Sequence, residues 1–220
     1  MRCHFILCCL LLPLWCVAVQ PYTPKMADPL LEPWRWRYEE SLEGLSALCM
    51  DEAKDGTLWF GNVDSIASYD GVTVDTFPFD EDLLSTITRR AGAPWASALV
   101  VLPDDSLLVL IDQSLVLRKK GSWSVVIQDV GSSRFEGQLH VATDGAIWLL
   151  VSDNLWRINS DLASCSKVMS AGNHTDFLSF CLDHSGDGWV VEKTGVLSSR
   201  LVHLPIKGGR LEHEVEWVEY

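Results

Sequence analysis

Basic residues are scarce in this 220-residue chain, and their scarcity excludes one class of partner. The sequence holds 17 Lys and Arg against 30 Asp and Glu, which gives a net charge of -13 and a pI of about 4.7. Binding to nucleic acid requires clustered Lys and Arg that neutralise phosphates. The basic residues that stand together, at Arg89–Arg90 and Lys119–Lys120, do not extend into a stripe. We therefore predict no nucleic-acid partner.

Cysteine is too sparse to build the fold around disulfides. Four of the seven cysteines lie in the apolar N-terminal segment, and three remain beyond it: Cys49, Cys165 and Cys181. An odd and small number of cysteines is not a disulfide framework. We expect all three to be small buried residues on strands. The sequence leaves open which two would pair in an oxidising compartment.

Long apolar runs are absent beyond the N-terminus. There, Arg2 precedes an apolar run from Phe5 to about Leu14, and Ala18 stands just before Gln20–Pro21. That order is typical of a secretory signal peptide, and the run is shorter than the roughly 20 residues that a membrane helix needs. We predict a signal peptide over 1–18, a linker over 19–33, no membrane span, and a periplasmic or extracellular location. The alternative is an uncleaved anchor.

Catalytic and metal-binding motifs are also missing. The sequence has no GxSxG, Walker loop, GxGxxG or HExxH, and its histidines are scattered. The segment DHSGDG (183–188) resembles the opening of a calcium loop, but Thr194 stands where such a loop needs a bidentate Glu. We predict a hairpin at this segment, no catalytic residue, no metal site and no cofactor.

What the chain does contain is a repeat of short apolar runs separated by turn residues, which is typical of an all-β fold. The segments KDGTLWFG, PDDSLLVL, TDGAIWLL and GDGWVV align on Asp55, Asp104, Asp144 and Asp187, which are 49, 40 and 43 residues apart. Each lies between further apolar runs, so each unit holds four short strands in about 43 residues, the length of a β-propeller blade. We predict antiparallel four-stranded blades over 34–220, with units at about 34–80, 97–130, 138–170 and 177–220.

The first unit resembles the two-component regulator propeller repeat. The residues that carry this resemblance are Tyr38, Gly44, Leu45, Asp51, Gly56, Leu58, Trp59, Gly61, Tyr69 and Asp70. The third unit matches at Asp144, Gly145, Ile147, Trp148, Leu155 and Ile158, whereas the second and fourth keep only the apolar pattern. We assign the structural repeat motif to Asp55, Gly56, Trp59, Gly61, Asp144, Gly145, Trp148, Asp187 and Gly188. Glycine serves the tight turns, and the tryptophans are expected to pack between blades.

The resemblance implies the periplasmic sensor β-propeller of hybrid two-component regulators, whose ligands are often derived from glycans. In that family a membrane helix and a kinase pass the signal on, so we expect self-association or a C-terminal output domain. An apparent surplus strand at WRWRYEE (34–40) favours an N-terminal portion of a larger propeller. A four-bladed ring, or an arc completed by association, is the alternative.

Loops on a rigid scaffold usually carry the binding residues. On this basis we predict that the ligand contacts Asn62, Asp64, Trp95, Asp112, Asp153 and Lys193. Two other functions remain open at this stage. The Asp-Gly-x-hydrophobic-Trp repeat is also similar to that of streptogramin-lyase-like propeller enzymes, which a bound divalent metal would favour. A non-catalytic interaction propeller is the third possibility.

Overall fold

The computed structural model describes residues 38–87, 92–130, 137–172, 176–195, 198–207, 210–211 and 216–219. The chain divides into two units, Met1–Glu40 and Ser41–Tyr220, and all described strands belong to the second. The predicted signal peptide (1–18) and linker (19–33) lie outside the described residues. No helix in the described ranges is long and apolar enough to span a membrane.

Four antiparallel sheets of four strands make up the second unit, and we call them blades 1 to 4. Blade 1 contains β1 (Cys49–Glu52), β2 (Leu58–Gly61), β3 (Ser65–Tyr69) and β4 (Val74–Pro78). Blade 2 contains β5 (Ala96–Val101), β6 (Leu107–Ile111), β7 (Ser114–Lys119) and β8 (Ser122–Ile127). Blade 3 contains β9 (Gly137–Val141), β10 (Ile147–Val151), β11 (Asn154–Ile158) and β12 (Cys165–Ser170). Blade 4 contains β13 (Asp176–Leu182), β14 (Gly188–Lys193), β15 (Ser199–Leu204) and β18 (Glu216–Glu219).

Three further short elements lie outside the four blades in the described ranges. A 3₁₀ helix covers Glu40–Leu42, and α1 covers Glu81–Thr86 between blades 1 and 2. A two-stranded ribbon pairs β16 (Ile206–Lys207) with β17 (Arg210–Leu211) between the last two strands of blade 4. The prediction of an all-β fold with four four-stranded antiparallel blades is confirmed.

The blades follow one another in an open series among the described strands. The first strands of the blades, β1, β5, β9 and β13, contact each other in that order, and we call them the inner strands. The series does not close into a ring. Of the expected outer strand at 34–40, residues 34–37 lie outside the described ranges, while Tyr38 and Glu39 belong to no strand and Glu40 begins the 3₁₀ helix.

Apolar side chains between neighbouring blades form the core. Strands β6 (LLVLI) and β10 (IWLLV) are buried at every position, because the middle blades are covered on both faces. Three clusters of buried side chains fill the spaces between successive blades. Helix α1 adds Leu83 to the first cluster, and Asp80 caps its N-terminus by accepting the Leu83 N–H at 2.7 Å.

The Asp-containing turns share one geometry. In blade 1, Asp55 accepts the N–H of Thr57 at 3.0 Å, and Gly56 adopts a positive φ of 88°. Gly145 holds the same position in blade 3 with a φ of 79°. In blade 2 this position belongs to Asp105, whose short polar side chain tolerates its φ of 61°.

In blade 4 the structure corrects the sequence alignment by two residues. The position of Gly56 is held by Gly186, with a φ of 87°, whereas Gly188 is the first residue of β14. Asp187 therefore occupies the position of Thr57, and Ser185 that of Asp55. The overlapping Gly-Asp-Gly sequence offers two possible turn glycines. The pairing of Leu182 with Gly188 selects the first.

The expectation of three buried cysteines is wrong for two of them. Cys49 is half-buried at the boundary between blades 1 and 2, where its thiol donates to the carbonyl of Ala96 at 3.4 Å. Cys165 and Cys181 lie on strands as expected, but their side chains are exposed: Cys165 begins β12, an edge strand with no buried residue, and Cys181 follows the buried Phe180 on β13. All three are free thiols.

Candidate ligand-binding site

The blade topology gives the four sheets two distinct ends. The hairpins that join first to second strands and third to fourth strands lie at one end, which we call the turn end. The turns between second and third strands lie at the other, together with the connections from one blade to the next, and we call it the connection end. The six residues predicted to bind ligand all lie at the connection end of their blades: Asn62, Asp64, Trp95, Asp112, Asp153 and Lys193.

Backbone hydrogen bonds bring four of these residues together where blade 1 meets blade 2. The carbonyl of Asn62 accepts the N–H of Ala96 at 3.0 Å, and Asp64 donates its N–H to Pro94 O at 2.7 Å. Trp95 is bound on its other side by Asp112, whose N–H donates to the Trp95 carbonyl at 3.0 Å. Asp112 Oδ1 in turn accepts the Trp95 N–H at 3.3 Å. We call Asn62, Asp64, Trp95 and Asp112 the connection-end cluster.

The turns that carry this cluster have an unusual backbone. Asp64 and Asp112 have positive φ angles of 62° and 51°, and Ser152 has 52° at the corresponding turn of blade 3. Asp and Asn side chains tolerate this left-handed conformation better than larger ones do. The turn geometry thus explains the short polar residues at these positions without reference to a ligand.

Burial of two cluster side chains is harder to explain by turn geometry. Asn62 is 5% exposed and Asp112 is 9% exposed. Asn62 Oδ1 and Asp112 Oδ2 are buried without a hydrogen-bond partner in the described structure. Leaving a buried polar group unpaired costs about 1–3 kcal/mol, and more when the group is charged. Two buried acceptor oxygens thus belong to residues whose backbones hydrogen-bond to Ala96 and Trp95, and each is able to accept a hydrogen bond from a donor group.

The remaining two predicted residues do not join this cluster. Asp153 is exposed in the turn between β10 and β11, where its side chain accepts from Asn154 at 3.4 Å. Lys193 is exposed at the end of β14. Within the described residues, neither makes a hydrogen bond to the other four.

The two motif tryptophans lie at boundaries between blades, at different depths. Trp148 is 1% exposed, and its ring centroid lies 5.7 Å from that of Phe180 on the next blade. Trp59 is half-buried, and its ring stacks on Phe77 at 5.7 Å. Gly61 permits the close approach of blade 2, because a Cβ atom here would lie 2.9 Å from the Ala96 Cβ.

A groove of about 320 Å³ lies along the inner strands. It is lined in part by Cys49, Gln138, His140 and Ser179. Burial lowers the pKa of His140, which favours its neutral form, and raises the pKa of the Cys49 thiol to about 12. The described residues contain no group of three or more His, Cys, Asp or Glu side chains that would hold a metal ion.

Sequence reasoning did not select Arg118, which reaches from blade 2 to aromatic rings of blade 1. Strand alternation carries a signal for it, because Val116 and Arg118 share a face of β7 and Val116 is buried in the first core cluster. An arginine at an inward-facing position of an apolar strand is unusual. Finding its partners, however, requires the packing of two blades.

Blades of four antiparallel strands stacked in series define a β-propeller-like fold. Solved structures with a similar fold include two of an extracellular domain from Bacteroides thetaiotaomicron. One is described as part of a hybrid two component system; it has a TM-score of 0.60 and 14% sequence identity, and the match covers 84% of this chain and 23% of that chain. The other is described as part of a one component system; it has a TM-score of 0.58 and 17% identity, and the match covers 82% of this chain and 24% of that chain. Regucalcin from Agrobacterium tumefaciens, described as calcium-binding, is also similar, with a TM-score of 0.52 and 16% sequence identity; the match covers 80% of this chain and 61% of that chain.

The chain thus spans about a quarter of the length of the Bacteroides structures that it matches. Identities of 14–17% make these likenesses of fold alone. No protein-family model matches the sequence, and no curated protein matches it.

Proposed function

We propose that this chain is an exported, non-catalytic β-propeller module that binds a small ligand at its connection end and serves as a sensor. The observation that carries the proposal is the pair of buried, unpartnered acceptor oxygens, Asn62 Oδ1 and Asp112 Oδ2, on two residues whose backbones hydrogen-bond to Ala96 and Trp95. Similarity of fold to bacterial extracellular domains supports it, as does the signal peptide predicted from the sequence.

The chemistry of the connection-end cluster favours a ligand rich in hydroxyl groups. Both unpartnered atoms are acceptors, so the ligand must supply donors. Trp95, whose backbone hydrogen-bonds to Asp112, is half-buried, and we propose that its ring provides the apolar surface against which a sugar packs. A glycan-derived saccharide combines hydroxyl donors with apolar C–H faces, and we propose this class of ligand.

Burial of the two oxygens gives the site a way to act as a sensor. Neither atom is open to solvent, so a ligand reaches them only when the cluster rearranges. A ligand that binds the rearranged state more tightly shifts the protein towards that state. The change would pass to a partner, to a second copy of the chain or to a C-terminal output domain.

The test is a saccharide panel measured by thermal shift and calorimetry on the whole chain. The decisive variant is Asp112→Asn, which keeps the size of the side chain but replaces one acceptor with a donor. We expect this variant to lower the affinity for the saccharide by about tenfold or more, since a donor of the ligand then faces an N–H group. Asp153→Asn, in the corresponding turn of blade 3, is the matched control and should bind as the wild type does.

Three outcomes would count against the proposal. Absence of any ligand across the panel would favour an interaction propeller over a sensor. Equal affinity for the wild type and Asp112→Asn would place the ligand elsewhere. A single ordered water bridging Asn62 and Asp112 in a crystal with saccharide bound elsewhere would explain the unpartnered oxygens without a ligand.

A further inference from the structure

Arg118 lies in an aromatic cage at the boundary between blades 1 and 2. Its guanidinium carbon lies over the Phe77 ring at 4.3 Å from the centroid. It also lies 5.8 Å from the Trp59 ring and 5.9 Å from the Trp123 ring. Trp59 and Phe77 come from blade 1, whereas Trp123 is paired with Arg118 in blade 2. We call these four residues the Arg118 cage.

Arg118 differs from the other arginines whose side chains the structure describes. Arg157 pairs with Asp144 at 3.4 Å, and Arg200 pairs with the buried Glu192 at 2.7 Å. No described carboxylate lies within 4.0 Å of Arg118, although acids outnumber bases 30 to 17 in the chain. The half-buried charge of Arg118 is therefore balanced within the described structure by ring faces alone.

Ring faces satisfy only part of what a guanidinium offers. Stacking uses the flat faces of the group, while its five N–H donors point outwards in its plane. Burial lowers the pKa of Arg118, but an arginine remains charged in proteins. The edge of the group is thus a fixed, positively charged row of donors beside apolar rings, and this edge matches the two oxygens of a carboxylate.

We propose that the Arg118 cage is a second binding site, which takes the carboxylate of a small organic acid. The carboxylate pairs with the edge of the guanidinium, and the body of the acid packs against the half-buried rings of Trp59 and Trp123. A singly charged carboxylate fits better than a doubly charged phosphate, because the net charge of -13 repels an anion in proportion to its charge. The site is independent of the connection-end cluster and of the function proposed for it.

The test uses two pairs of probes that differ in charge. Galacturonate is compared with galactose, and benzoate with benzamide, by calorimetry and by indole fluorescence. The fluorescence is sensitive to the site because Trp59 and Trp123 line it. We expect at least one acid to bind about tenfold more tightly than its neutral partner at low salt. This preference should fall in 0.5 M NaCl, because charges are then screened over about 4 Å.

Variants separate binding from packing. Arg118→Gln should abolish the preference for the acid, whereas Arg118→Lys keeps the charge but loses the planar donor edge and should retain only part of it. The matched control is Lys167→Gln, because Lys167 is also a cation over an indole, 5.8 Å from the Trp156 ring on blade 3. This control should bind the acid as the wild type does.

Circular dichroism and thermal unfolding show whether each variant is folded. If Arg118→Gln does not fold, the binding of the acid is compared between the wild type and Arg118→Lys. The proposal is overturned if neither acid is preferred over its neutral partner, or if the preference survives in the Arg118 variants. The proposal is also overturned if inorganic phosphate binds more tightly than either acid, because the ligand of the site would then be phosphate and not a carboxylate. Failure here leaves the saccharide site untouched, because the two tests share neither variant nor residue.

Discussion

Gln138 on the inner strand of blade 3 accepts the backbone N–H of Phe180 on the inner strand of blade 4, at 2.8 Å from Oε1. The same side chain donates from Nε2 to the carbonyl of Leu178 at 3.5 Å. It thereby contacts Leu178, which lies at the register shift of β13 between Phe177 and Ser179, and Phe180, which follows this shift. β13 is the terminal strand of its sheet, so one of its edges has no partner strand there, and a side chain of the neighbouring blade pairs with backbone groups of β13.

We expect Gln138→Leu to lower the free energy of unfolding by about 1–3 kcal/mol, because the Phe180 N–H loses its partner at a partly buried position. Urea unfolding measures the change. Gln128→Leu is the control, since its exposed side chain donates to Thr86 O and its removal should cost within about 0.5 kcal/mol. Equal losses in the two variants would contradict the role assigned to Gln138.

The two motif tryptophans should differ in their contribution to stability. Trp148→Ala should cost about 3–5 kcal/mol, because it leaves a cavity in the third core cluster. Trp59→Ala should cost less, roughly 1–3 kcal/mol, since Trp59 is half-buried and the space it leaves is partly open to solvent. Chemical denaturation of both variants checks the order, and a larger loss for Trp59 would refute the packing described for them.

Stability should fall as the pH drops below about 6.5, in part through His140. Burial lowers its pKa from the ordinary value of 6.5, so the folded protein binds fewer protons at this residue than the unfolded chain does. Above the pKa of the unfolded state, His140 is neutral in both states and does not change the stability. As the pH falls through that pKa, His140 gains a proton more readily in the unfolded chain, and the stability falls. His140→Phe removes the titrating group and keeps a ring beside Phe180.

The measurement for His140 is the change in unfolding free energy between pH 8 and pH 5 in both proteins. We expect a smaller loss in His140→Phe than in the wild type. An NMR titration gives the pKa of His140 directly, and a value above 6.5 would reverse the expected sign.

The cysteines should react in the order of their exposure. A pKa of about 12 leaves Cys49 with a thiolate fraction of about 10⁻⁴ at pH 8. Cys165 and Cys181 are exposed and should be alkylated first in the folded protein. Site-resolved mass spectrometry follows the reaction, and addition of denaturant is the control that should make Cys49 react. Rapid labelling of Cys49 without denaturant would show that the boundary between blades 1 and 2 opens easily.

Sequence patterns predict the blades well because each strand pair is local. The hairpin from Asp51 to Asp70 contains its own alternation, turn glycine and tryptophan, so no distant residue is needed to recognise it. The fourth blade shows the limit of this approach. In GDGWVV, Gly186 and Gly188 are equally good candidates for the turn glycine, and only the pairing of β13 with β14 distinguishes them.

The candidate sites were less accessible to sequence reasoning. Topology alone places Asn62, Trp95 and Asp112 at one end, but their shared hydrogen bonds depend on how the connection between blades 1 and 2 packs. The unpartnered oxygens cannot be seen in a sequence at all. The Arg118 cage combines residues of β2, β4, β7 and β8 from two blades, and no short motif holds them together.

The two ends of the blades differ in how much change they can accept. At the turn end, each first hairpin closes over the same number of residues with one left-handed position, as at Gly56 and Gly145. At the connection end, the links between blades vary widely, from 79–95 after blade 1 to 171–175 after blade 3. The links between blades are therefore the natural place for grafting. A foreign loop there would alter recognition, while the hairpins at the turn end keep their register.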